Sequence, residues 1–113
     1  MPQKRVGPLS ASENTDYGDT GPHSVGSHMV HISGTWTGNF VTKGYLKGNG
    51  LGVADRQPVA YKNMKTGVVT DPTVTAITAN GVYEVVTDGL NLVMDFTYAT
   101  GTGPIVDVQP LRG

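Results

Sequence analysis

A hydrophobic period of two residues across residues 30–40 constrains the fold of this chain more than any other feature. Val30, Ile32, Trp36 and Phe40 share one parity, and polar side chains occupy the other. Because successive side chains of a β-strand point to opposite faces, this pattern predicts a strand with one face on a core. A helix would repeat its apolar positions every 3.6 residues or so, and no segment of the chain shows that period.

Turn signals divide the rest of the chain into further short strands. Gly48 to Gly50, Asn80-Gly81 and Asp88-Gly89 each separate segments with strand character, and such Asn-Gly and Asp-Gly pairs are typical of hairpin turns. Alternation then resumes at Leu92, Met94, Phe96 and Tyr98. The sequence therefore predicts an all-β fold, a single antiparallel β-sandwich of jelly-roll or immunoglobulin-like (Ig-like) type.

Composition excludes several classes of protein. With 113 residues the chain is long enough for one compact domain. Charged residues make up 15%, which is too few for a helical bundle, and the net charge of −1 is carried by dispersed side chains without a basic patch for nucleic acid. The chain has no cysteine for disulfides or thiolate metal sites. It also has no apolar run of the roughly 18 residues that a transmembrane helix needs, so no membrane partner is predicted.

The first 24 residues differ from the rest in composition. This segment is rich in glycine, proline and polar residues, and it has few apolar side chains that could anchor it. Because it buries too little surface to offset its ordering entropy, we expect residues 1–24 to form an extended N-terminal arm and residues 25–113 to form the β-sandwich domain. Partner surface would then hold the arm in place. The predicted partner-binding residues are Lys4, Arg5, Val6, Leu9 and Tyr17.

No group of residues in the sequence points to catalysis. His28 and His31 are three apart on a predicted strand, so their side chains face opposite ways and do not converge on a metal with His23. Three carboxylates lie on separate predicted strands: Glu84, Asp95 and Asp107. A glycosidase-like pair is one interpretation of them, and solvated strand faces are the interpretation that we favour. We therefore predict no enzyme activity, no catalytic residues, no cofactor and no metal.

The single tryptophan admits two interpretations. Its parity predicts that Trp36 packs in the core with Phe40 and Phe96 between two sheets, near a bend or bulge marked by Gly34 and Gly38. The alternative is a sugar-stacking platform on one exposed face. That alternative would need an exposed set drawn from Trp36, Tyr45, Tyr61 and Tyr83.

The order of these features resembles a known family. Ile32 to Gly38 contains a Gly-Thr-Trp-x-Gly strand, a second block runs from Ile77 to Val85 and on to Asp88 to Val93, and a last strand follows Thr100-Gly101. Over residues 25 to 110 or so, the chain is similar to small β-sandwich structural proteins of tailed bacteriophages, found as head-decoration, head-fibre or tail-associated proteins.

The resemblance implies a non-enzymatic virion protein that binds and stabilises the capsid surface, with a tail location as second choice. The implied partners are the major capsid protein or another virion structural protein, and further copies of the chain in a homo-oligomer (trimer or dimer). The alternative function is a carbohydrate-binding adhesion module on the virion, which would use the exposed aromatic face described above.

Overall fold

The computed structural model describes residues 4–17, 27–45, 55–87 and 90–111. The predicted turns at 48–50 and 88–89, and His23, lie outside these residues. The strands are β1 (Lys4–Val6), β2 (Glu13–Asp16), β3 (Ser27–Tyr45), β4 (Gln57–Pro58), β5 (Tyr61–Asn63), β6 (Val69–Thr70), β7 (Gly81–Val85) and β8 (Asn91–Leu111). Within the described ranges, no apolar helix of membrane-spanning length is present.

All strand pairings are antiparallel, and the strands form one open sheet in the order β1-β8-β3-β7-β5-β6. Strand β2 also pairs with β8, and β4 pairs with β3. The predicted all-β antiparallel fold is confirmed.

The two long strands, β3 and β8, pair along their entire length. The register runs from Ser27 opposite Leu111 to Tyr45 opposite Asn91, with two shifts near the middle that leave Ala99 and Thr102 of β8 without an opposite residue. Such bulges bend the bulged strand and increase its twist. The shorter strands attach to one half of the pair or the other: β1 and β7 on one side of the bulges, β2 and β4 on the other.

Glycine is required at the bend. Gly101 lies between the two bulges and has a φ of 101°, in the region that favours glycine. A Cβ atom there would lie 2.5 Å from the carbonyl oxygen of Thr35. The predicted bulge near Gly34 and Gly38 is thus confirmed, with its extra residues on the partner strand β8.

One hydrophobic core joins the two halves of the sheet. The inward parity predicted for β3 is confirmed by Val30, Ile32 and Phe40, which are 0–1% exposed. Phe40 stacks on Phe96 of β8 with ring centroids 4.6 Å apart. Further members of the cluster are Tyr61, Ile77, Tyr83, Val85, Leu92, Met94, Val106 and Val108. Both halves therefore pack on a shared interior, which makes the fold sandwich-like.

Strands of the N-terminal segment belong to this same sheet. Lys4–Val6 pairs with Val106 to Val108, and Glu13–Asp16 pairs with Val93 to Phe96. The expectation that this segment is an arm ordered by partner surface is therefore wrong for the described residues 4–17. Backbone pairing with β8 supplies the stabilisation that the composition of the segment conceals.

Two side chains of this segment are core residues. Leu9 is 4% exposed and Tyr17 is fully buried. Their backbone N–H groups donate to the carbonyl oxygens of Pro104 (3.0 Å) and Leu92 (2.8 Å). Binding of a partner by this segment stays a prediction, but these two anchors already have intramolecular packing.

A buried histidine connects β3 to the segment after β7. His28 is 3% exposed, and its Nδ1 lies 3.0 Å from Oγ1 of the fully buried Thr87. Burial lowers the pKa of His28 to about 4, because the charged imidazolium would lose its hydration. The exposed His31 lies on the opposite face, as predicted from the spacing.

We predict that Leu9→Ala destabilises the chain by about 2–5 kcal/mol, since it opens a cavity in the core. Val68→Ala, at a side chain that is 58% exposed, serves as the control and should change stability by less than about 0.5 kcal/mol. Urea unfolding of both variants measures the difference. Equal stability of the two variants would show that the N-terminal segment contributes nothing to the core.

We also predict a pH dependence set by His28. An unfolded histidine has a pKa of about 6.5, so the unfolded chain binds the proton first and stability falls as the pH drops from 6.5 to 4. The loss should reach about 3 kcal/mol at most and stop growing below pH 4. Thermal unfolding across this range should show the slope in the wild type and in His31→Gln. The slope should be reduced by this amount in His28→Gln, and an undiminished slope there would assign it to other groups.

Candidate functional site

The exposed large apolar side chains of the described residues are concentrated at one end of the sheet. They are Met64, Val68, Val69, Val74, Val82 and Val86. All of them belong to β6, β7 and the segments that flank these strands. We call this set the apolar end. Such a concentration on a folded surface is typical of a protein–protein contact.

The hairpin that joins β5 to β6 is held by side-chain and backbone bonds. The Asn63 side-chain oxygen accepts from the N–H of Lys65 (2.9 Å), and the Asn63 carbonyl accepts from the N–H of Gly67 (2.7 Å). These bonds fix the turn that precedes Val68 and Val69, which are 58% and 60% exposed. The valines therefore sit on a structured hairpin despite their exposure.

A second turn, which is held by hydrogen bonds to Asp71, places Val74 on the surface. The Asp71 carboxylate accepts from the N–H (2.9 Å) and the hydroxyl (2.7 Å) of Thr73, and these bonds lower the pKa of Asp71. The Asp71 carbonyl accepts from the N–H groups of Val74 and Thr75. Val74 is nevertheless 80% exposed. An apolar side chain held on an ordered turn loses little entropy when a partner covers it.

A groove of about 300 Å³ opens beside these turns. Its floor is formed by Tyr61 and Tyr83, whose rings meet edge to face at 5.7 Å. Their hydroxyls donate to the carbonyl oxygens of Thr75 and Ala79, both at 2.8 Å. The remaining walls include Thr66, Val68, Thr70 and Ile77, and no lining residue is charged at neutral pH. The groove is therefore suited to an uncharged partner surface.

Ion pairs link the strands of the other half of the sheet. Arg5 binds Asp107 (2.6 Å), while Asp95 receives both Lys43 and Arg56 at 2.9 Å. These residues lie on or beside β1, β3, β4 and β8.

The carboxylates weighed as a catalytic pair are not brought together. Asp107 and Asp95 form the ion pairs above on different halves of β8. Glu84 lies on β7, separated from β8 by β3, and accepts from the Ser27 hydroxyl (2.8 Å). Among the residues of the four described ranges, no group of three potential His, Asp or Glu ligands could hold a metal ion.

The predicted partner-binding residues lie at the opposite edge of the sheet from the apolar end. Lys4 donates to the carbonyl oxygen of Asp16 (2.9 Å), and Val6 packs against the core. Leu9 and Tyr17 are buried, as described above. Arg5 keeps 72% of its side chain exposed while it binds Asp107, so it is the member of this set with the most surface to offer a partner.

Trp36 departs from its predicted position between two sheets. The ring is partly buried at the margin of the core, with Phe40 at 5.4 Å and Phe96 at 5.9 Å. Its Nε1 donates to the side-chain oxygen of Asn80 (2.6 Å). The predicted contacts with Phe40 and Phe96 are confirmed, whereas the partial exposure of the ring differs from what the alternation predicts.

The aromatic face required for sugar stacking is absent from the described residues. Tyr45, Tyr61 and Tyr83 are only 5–6% exposed. The Tyr45 hydroxyl donates to the Asp16 carboxylate at 2.6 Å. The sequence pattern pointed to these aromatics and not to the exposed valines, because valine suits a buried and an exposed strand position equally.

No protein-family model matches the chain, and no curated protein matches it. Among solved structures, the crystal structure of the SPBc2 prophage-derived protein YomS is similar, with a TM-score of 0.64. The similarity covers 96% of this chain and 92% of that chain, at 13% sequence identity. The two chains therefore share a fold.

Proposed function

We propose that this chain is a non-enzymatic structural protein of a phage particle and that it binds neighbouring virion proteins through its apolar end. The proposal depends on one observation. Valines are exposed on two hydrogen-bonded turns at one end of a sheet that has a well-packed core. The shared fold with a prophage-derived protein and the sequence resemblance to phage β-sandwich proteins support the phage assignment.

The exposed surface favours an assembly in which many copies each make one weak contact. Each copy offers a few exposed valines and an uncharged groove, which gives a modest affinity from apolar burial. A repeating capsid or tail lattice multiplies such contacts, because tethered neighbours bind at high effective concentration. Decoration of the capsid surface, where many copies stabilise one shell, is the role that this arrangement serves best.

The partner surface is expected to be apolar and uncharged where it meets the apolar end. Val74 would insert into the partner, while the groove beside it would receive a small neutral side chain. The predicted partners remain the major capsid protein or another virion structural protein.

A binding assay with particles that lack this chain tests the proposal. We expect wild-type protein to co-sediment with such particles, and the double variant Val68→Ser/Val74→Ser to lose about tenfold in occupancy, because it removes exposed apolar contact without opening the core. Arg5→Ala, at the opposite edge, is the matched control and should bind as the wild type does.

Each other outcome changes the conclusion. Wild-type protein that stays in the supernatant would overturn the virion assignment. Equal binding of the double variant would remove the apolar end as the contact. Loss of binding in Arg5→Ala alone would locate the contact on the β1 edge, as the sequence analysis predicted.

A further inference from the structure

We propose that β6 is the edge at which two copies of this chain pair, antiparallel across a twofold axis, so that their sheets become continuous. This inference rests on the proposed function in that it identifies one neighbour at the apolar end as a second copy.

Backbone geometry leaves hydrogen-bonding groups of β6 pointing outward. Strand β6 is the last in the described order and pairs only with β5 there, with Tyr61 opposite Thr70 and Lys62 opposite Val69. The N–H of Asn63 donates to the carbonyl of Val68 (3.0 Å). Since hydrogen-bonded and non-hydrogen-bonded pairs alternate in an antiparallel ladder, the N–H and C=O of Val69 point away from β5.

The other described edges carry protection that β6 lacks. Sheet edges of natural proteins are usually guarded by charged side chains or proline against pairing with another chain. Strand β1 begins Lys4-Arg5, β2 has an acidic residue at each end, and β4 contains Pro58. Strand β6 consists of Val69 and Thr70 and has neither device. It is thus the one described edge open to strand addition.

The β6 segment is complementary to itself. A twofold axis at Val69 would let its N–H and C=O bond those of its counterpart, in the reciprocal pair typical of antiparallel strands. Lys65 precedes the uncharged segment 66–70 and Asp71 follows it, and both are exposed. With the axis at Val69, Asp71 of one copy lies opposite Gly67 of the other, two residues from that copy's Lys65, so the opposite charges are diagonal neighbours within reach of each other. The charges therefore favour a second copy over an unrelated strand.

The backbone hydrogen bonds of so short a strand cannot hold a dimer alone, so apolar surface must be buried as well. A stable interface buries roughly 800 Å² on each partner, more than two edge residues provide. Val68, Val69 and Val74 lie on or beside this edge and are 58–80% exposed, so their burial accompanies the pairing. With only this surface the dimer is expected to be weak, with a dissociation constant of micromolar order.

Sedimentation equilibrium of the purified full-length chain tests the pairing. Across micromolar to millimolar concentrations, we expect the mass to rise from 11.9 kDa towards twice that value. Val69→Lys should raise the dissociation constant at least tenfold or so, since it places a charge on the edge. Thr97→Lys, at an exposed threonine on the interior strand β8, is the matched control and should dimerise as the wild type does.

A second variant tests whether the charges of Lys65 and Asp71 stabilise the dimer. Lys65→Glu places like charges together across the axis and should weaken the dimer more at low salt than at high salt. Circular dichroism and urea unfolding of all variants confirm that they are folded.

A single-chain mass at every concentration, a trimer, or undiminished dimerisation of Val69→Lys would each overturn the pairing at β6. These outcomes are separate from those of the particle assay. A monomer that still binds particles refutes the pairing alone, whereas a dimer that does not bind particles refutes the virion function alone.

Discussion

The structure depends on the full-length pairing of β3 with β8. Strands β1 and β2 bond to β8, and β4 and β7 bond to β3. Only β5 and β6 are attached more remotely, through β7. Because side chains alternate with a period of two, a slip of one residue in this pair would turn Val30 and Ile32 from the core to solvent. Hydrophobic burial therefore fixes the register on which every other strand relies.

The sequence predicted the inward alternation of β3 well and the N-terminal segment poorly, for one physical reason. The separate last strand expected after Thr100-Gly101 is a continuation of β8. Alternation within a strand is local information, so the inward positions Val30, Ile32 and Phe40 were identified correctly. The support for Leu9 comes from Pro104, far along the chain, and local composition contains no trace of such a partner. A short polar strand at the edge of a sheet gains its stability from backbone bonds, which any sequence without proline can form.

Local sequence also fails to predict the candidate site. Val68 and Val74 are the same residue type as the fully buried Val106 and Val108, and β-branched residues favour strands in either setting. What distinguishes them is the absence of a described element packed above them. Sequence pattern identifies residues that suit a sheet, whereas the tertiary arrangement decides which of them remain available to a partner.

The number of open edges bears on what kind of assembly this chain can form. A chain with two complementary open edges would add copies in a row and grow filaments, because each added copy exposes a new edge. Here charges or proline occupy the described edges β1, β2 and β4, and β6 is the open one. A dimer that pairs through this single self-complementary edge would have no open edge left, so assembly would stop at two copies. On the proposed function, such a dimer would coat a lattice in discrete units and would not grow into filaments.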